Sequence, residues 1–259
     1  MKALIFIVLL LCSFQLEATP HLRALIVADI RSSDIREGTR YDYQRMQESV
    51  KNIAEQLQIP HTQTTLVEKN YTPDEIRKWI KTIQKGEIVL FYYSGHGFRP
   101  SKKSDPWPVL ACRKLVTKKS YTIPGKEICS SIKKKEPRLS LIFFDCCNDP
   151  LHIKSLPPES SQLIIPEQPL LPGLSSLFLN LTGSVTACAA SPGQPALTLI
   201  GGRTSGSLFS LGLVRSLLEE GEYMCTSWHN VLERTLPDIA SMSSGRQRPC
   251  YIVDVRPDL

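Results

Sequence analysis

Residues 87–97 read EIVLFYYSGHG, and residues 139–148 read LSLIFFDCCN. Each is an unbroken apolar run, rich in β-branched and aromatic side chains, that stops at small, polar and reactive residues. Runs of this length and composition predict strands buried on both faces. The first delivers His96 just past its end; the second delivers Cys146 and Cys147. An imidazole and a thiol at the same end of two strands are the parts of a cysteine nucleophile and its base.

The rest of the chain alternates in the same way. Residues 22–30 (LRALIVADI), 62–67, 184–190 and 250–255 predict four more strands, six in all. Residues 40–57 carry Met46, Val50, Ile53, Ala54 and Leu57 at helical spacing. A second helix opens at Thr72-Pro73-Asp74-Glu75, where a cap, a first-turn proline and two acids coincide, and runs to about Gln84. Further helices are predicted over 124–134, 206–219 and 226–236, and a small hairpin near 109–112. Residues 149–172, rich in Pro and Ser, predict a long loop over the site. Strands alternating with helices imply an α/β fold with a mostly parallel sheet covered on both faces, whose ligand crevice lies at the carboxyl ends of the strands. His96 and Cys147 both fall there.

The chain has 259 residues, 42% of them hydrophobic, and a net charge of +6. That suffices for one large core. The lysine runs 102–103, 118–119 and 133–135 read as solvated surface, since no nucleic-acid motif or interleaved aromatics accompany them. Residues 1–18 form the first segment: Lys2, an apolar run over 3–11, and Leu16-Glu17-Ala18 as a cleavage site. This is the pattern of a secretory signal, too short to span a bilayer as a helix, so export to a secreted or periplasmic location is expected. Residues 19–259 form a single domain with no membrane span. Seven cysteines remain after the signal, an odd number, so at least one stays free or pairs between chains. No C-x-x-C or H-x-x-x-H spacing is present, and a structural zinc site is not expected.

A thiol is a weak nucleophile while protonated, and an adjacent imidazole raises the thiolate fraction. Attack on an acyl carbon also needs an oxyanion hole. The backbone N–H of Gly97 and that of Cys147 are the candidate donors. Side chains alternate along a strand, so one of Cys146 and Cys147 is core and the other reactive; spacing alone leaves the choice open. Buried cysteines and histidines are more often inert packing groups, and the coincidence of both at matched strand ends, with Gly95 and Gly97 flanking the ring, weighs against that here. His21, His61, His152 and His229 have no comparable setting. Asp145, at the end of its strand, reads either as a hydrogen-bonded structural acid or as a pocket wall for a cationic substrate side chain. Asp42 is a second candidate acid, although its place in a helix predicts a surface residue.

The segments YYSGHG and DCCN resemble the caspase-like cysteine peptidases, and more closely their metacaspase and bacterial branch. The separation of 51 residues between His96 and Cys147 agrees with caspase spacing, and the order of elements over 22–256 is similar. The resemblance implies a caspase-like three-layer α/β/α sandwich with a six-stranded sheet. It implies His96 as catalytic histidine, Cys147 as nucleophile and Cys146 as the variable position before it. Asp145, Ser94 and, on a weaker match, Asp42 then line the substrate-binding pocket, which implies cleavage of protein or peptide substrates after Arg or Lys. Thr39 stands where the family carries a cysteine, and Asn148-Asp149-Pro150 follows the nucleophile where metacaspases have His-Ser-Gly. No cofactor is required for this chemistry, although the resemblance leaves calcium open. The competing readings are a caspase-like binding or scaffold protein that has lost turnover, and a thiol redox protein using the adjacent cysteines, which bridge only under strain.

Overall fold

The computed structural model describes residues 19–101, 104–112, 121–149, 170–201 and 205–258. The segment expected to be a signal, most of the loop expected over 149–172 and the lysine runs 102–103 and 118–119 lie outside them. Six strands build the central sheet: β1 (Leu22–Ala28), β2 (His61–Leu66), β3 (Ile88–Ser94), β7 (Leu139–Asp145), β8 (Leu181–Cys188) and β11 (Cys250–Pro257). Their order is β11-β8-β7-β3-β1-β2, with every pairing parallel except that of the edge strand β11 with β8. The predicted six-stranded, mostly parallel sheet is therefore present.

Alternation sorts the side chains of the central strands into two cores. Ile88, Leu90 and Tyr92 of β3, with Leu139, Leu141 and Phe143 of β7, face helices α1 (Arg36–Leu57), α4 (Leu208–Gly221) and α5 (Trp228–Met242). Val89, Phe91 and Tyr93, with Ile142 and Phe144, face α2 (Pro73–Thr82) and α3 (Gly125–Lys133). Burial on both faces is why β3 and β7 read as continuous apolar runs rather than alternating ones. The helix ends follow the expected chemistry. The Thr72 side chain caps α2 by accepting the Glu75 N–H, with Pro73 at the first position. Ser207 caps α4 and Ser227 caps α5.

Several boundaries shift. α1 starts at Arg36 rather than at residue 40, and β3 ends at Ser94, two residues before the histidine. The segment near 109–112 is the middle strand β5 (Val109–Ala111) of a three-stranded antiparallel sheet with β4 (Gly97–Phe98) and β6 (Thr122–Pro124). Gly206–Ser207, predicted as the first turn of a helix, instead forms β10, which pairs with β9 (Thr198–Leu199). At the end of the sheet opposite His96 a charged cluster closes the core. Arg23 donates to both Glu87 oxygens, at 2.7 and 2.8 Å, and the His21 ring nitrogen lies 3.1 Å from the same carboxylate.

Candidate active site

β3 and β7 are adjacent and parallel, with Ser94 directly opposite Asp145. His96 and Cys147 each lie two residues beyond that pair. The two chains therefore leave the sheet side by side, from strands roughly 4.8 Å apart. The Gly95 N–H donates to the Asp145 carbonyl at 3.3 Å, carrying the register one step past the strands. Gly97 then presses against the cysteines: a Cβ there would lie 2.4 Å from Cys146 Sγ and 2.6 Å from the Cys147 carbonyl oxygen. The requirement for glycine is one of space. The neighbouring ladder bond runs from the Ala111 N–H to the His96 carbonyl at 2.9 Å. By the alternation of an antiparallel pair, the Gly97 N–H turns away from β5.

The histidine backbone is held from below. Tyr93 donates its hydroxyl to the His96 carbonyl at 2.6 Å, and the Tyr71 hydroxyl lies 2.5 Å from that of Tyr93. The ring is partly exposed, and its Nε2 lies 3.3 and 3.4 Å from the two oxygens of Asp34, in the loop between β1 and α1. Nothing in the sequence marks Asp34, an acid in a polar loop some 60 residues upstream of the histidine.

The structure separates the two cysteines. Cys146 is buried in the core, where its thiol meets that of Cys188. Cys147 is partly exposed and turns the other way. Its sulfur accepts the Ala196 N–H at 3.3 Å, and its S–H reaches the Ala196 carbonyl at 3.8 Å. Burial pushes the Cys147 thiol up to about 11, opposed in part by the Ala196 amide and reinforced by Asp149 and Asp145. At neutral pH the resting thiol is therefore protonated. The residue after it is locked. Asn148 is buried, donates its side-chain amide to the Pro106 and Ala190 carbonyls at 2.8 and 3.1 Å, and gives its backbone N–H to Gln194 at 3.0 Å.

Asp42, Ser94 and Asp145, the three expected substrate-binding residues, form a second group joined by hydrogen bonds. Asp42, Ser94 and Asp145 are all buried, so the surface placement expected for Asp42 is corrected. Asp42 Oδ2 accepts the Ser94 hydroxyl at 2.9 Å; Oδ1 accepts the Ser210 hydroxyl at 2.6 Å, the Ser207 N–H at 2.8 Å and Arg45 Nη1 at 3.1 Å. Asp145 accepts the Tyr92 hydroxyl on Oδ2, at 2.7 Å, and the Ser207 hydroxyl on Oδ1. Ser207 is the cap of α4, so the positive end of that helix dipole points at both carboxylates. Burial pushes the Asp145 carboxyl up to about 8, with Asp42 adding to the rise and the two hydroxyls opposing it. Burial likewise raises Asp42, against the pull of Arg45. Arg45, Ser207 and Ser210 were missed from sequence, although Arg45 stands one helical turn after Asp42 and was findable by that spacing.

The caspase-domain family profile matches residues 21–259, nearly the whole chain. The chain belongs to the caspase-domain family. Solved structures agree in fold. The protein GSU0716 from Geobacter sulfurreducens superposes with a TM-score of 0.56 at 16% identity, over 92% of this chain and 95% of that one. Caspase-1 from Spodoptera frugiperda gives 0.53 at 13% identity, over 90% and 88%. The Drosophila initiator caspase Dronc gives 0.50 at 11%, over 90% and 78%. No curated protein matches the chain. A caspase domain carries a cysteine-peptidase type of function with protein substrates, and the predicted caspase-like α/β architecture is the one present. Among the described residues, no helix is long and apolar enough to cross a membrane, and no group of three or more His, Cys, Asp or Glu side chains could hold a metal ion.

Proposed function

We propose that this caspase domain is an exported cysteine endopeptidase that cleaves after Arg or Lys through Cys147 and His96. The observation that carries the reading is the matched position of these two residues, each two steps past the Ser94–Asp145 pair on neighbouring parallel strands. Asp34 faces Nε2 of the ring, and Nδ1 takes the Cys147 proton. With the resting thiol neutral, proton transfer accompanies attack rather than preceding it. Sulfur adds to the substrate carbonyl carbon, and the N–H groups of Gly97 and Cys147 receive the oxyanion. The imidazolium returns its proton to the leaving amine, and water then hydrolyses the thioester with His96 as base. The buried carboxyl of Asp145, two residues from Cys147, is the acceptor for a basic side chain and gives up its proton as that cation arrives. Export rests on the pattern of residues 1–18.

A fluorogenic peptide panel with Arg, Lys or Asp before the scissile bond, run with calcium or with chelator, tests the reading. The expected outcome is cleavage of the Arg and Lys peptides by wild type and none by Cys147→Ala. Full activity in Cys147→Ala, or preference for the Asp peptide, overturns it. The neutral thiol and the locked Asn148 loop favour a second reading, a scaffold that has lost turnover. Its signature is a panel left uncut, with Cys147 resisting alkylation.

A further inference from the structure

Arg45 belongs to none of the roles assigned so far, yet its guanidinium is buried against the acid cluster, with only 9% of the side chain exposed. Nη1 donates to Asp42 Oδ1 at 3.1 Å and to the Ser210 hydroxyl at 2.7 Å, and Nη2 donates to the Ser205 carbonyl at 2.6 Å. The backbone is shaped around it. Gly206 has a φ of +128°, and a Cβ there would lie 2.5 Å from Asp42 Oδ1 and 2.7 Å from Arg45 Nη1. Only glycine both adopts that conformation and leaves room for the guanidinium. A buried charge is tolerated only when paired and hydrogen-bonded, and these contacts meet that condition.

The two acids are consequently unequal. A carboxylate offers about four lone-pair sites. Asp42 already accepts four hydrogen bonds, one of them from Arg45, whereas Asp145 accepts two, one on each oxygen. Asp145 is thus the acid with capacity for an arriving donor.

Resting on the basic-substrate reading above, we propose that Arg45 is the specificity-setting residue of this pocket, a resident counter-ion that cancels Asp42 and leaves Asp145 alone to receive the substrate cation. The resident guanidinium holds the pocket's net negative charge to one at most. It thereby weakens the preference for a cationic side chain over a neutral one of the same shape.

The test compares peptides with arginine or citrulline, its neutral isostere, before the scissile bond. The readout is the ratio of their kcat/KM values in wild type, Arg45→Lys, Arg45→Gln and Arg45→Met. In Arg45→Gln and Arg45→Met the arriving cation is left to pair with Asp42 as well as with Asp145, and the arginine-to-citrulline ratio is expected to rise about tenfold. Arg45→Lys should stay within about threefold of wild type. A purely structural Arg45 would slow both peptides alike; an unchanged or lowered ratio in both neutral variants therefore overturns the inference. So does failure of both to show a cooperative thermal transition, which would mark Arg45 as a fold tie.

A binding arm separates this inference from the reading it rests on. Arginine amide and citrulline amide are titrated calorimetrically into Cys147→Ala and into the Cys147→Ala, Arg45→Gln double variant. If wild type cuts no basic peptide, the basic-substrate reading fails by itself. Gain of arginine-amide binding in the double variant then still upholds the role of Arg45, and equal or absent binding in both overturns it.

Discussion

At the scale of single residues, the candidate site combines a neutral thiol with an acid that resists ionisation, and both have measurable consequences. With the Cys147 thiol pushed up to about 11 by burial, alkylation of the resting protein by iodoacetamide at pH 7.5 should be slower than that of a free cysteine. Its rate should keep rising as the pH approaches that value. Peptide mass spectrometry of Cys147 against pH measures this, and fast, pH-independent labelling would indicate a preformed thiolate. Asp145 has its folded-state value raised, to about 8, from an ordinary 3.8. Between those values the folded protein holds a proton that the unfolded chain has released. Stability is therefore expected to fall as pH rises from about 4 to 8, as linkage requires. Denaturant titrations across that window should show the slope in wild type and lose most of it in Asp145→Asn. In the proposed reaction Asp34 is a positioning residue, through its contact with the ring. Asp34→Asn is expected to lower kcat by about tenfold, a fraction of a general-base contribution, with KM little changed, as steady-state kinetics would show.

At the scale of elements, legibility followed burial. β3 and β7 stand out because central parallel strands are apolar throughout, and their common end is legible in the sequence as the place of His96 and Cys147. The short strands β4, β5 and β6 carry two or three residues each, too few for a period to register. The first turn of α1 was hidden by its polar sequence and by Gly38, which is there for room: a Cβ would lie 2.2 Å from Thr198 Cγ2. Asp42 was misplaced by residue type although its position was readable. It shares the i, i+4, i+8 row with Met46 and Val50, both buried. Asp34 and Ser207 depend on contacts between distant segments and left no local signal. The β3–β4 turn is also where a small change should be costly. Gly97→Ala must displace Cys146 Sγ or the Cys147 carbonyl, and is expected to cost about 1–3 kcal/mol as an overpacked site. It should also abolish turnover, read by thermal denaturation and the peptide assay together.

At the scale of the whole molecule, the mostly parallel sheet carries the candidate site at one end and an ionic cluster at the other. Around Glu87, burial pushes the carboxyl up, but the Arg23 guanidinium, the Gln84 N–H and His21 outweigh it and hold the group below its usual range. Glu87→Gln should lower stability by about 1.5–3 kcal/mol, the range for a hydrogen-bonded charged group. The melting temperature should drop by several degrees, with kcat/KM within about twofold of wild type. A matching loss of activity would show that the ends communicate. Because Arg23, Glu87 and His21 are a full strand length from the cysteine, that rim is where an immobilisation linker or a hardening library belongs: robustness can be tuned there while the cutting edge is left untouched.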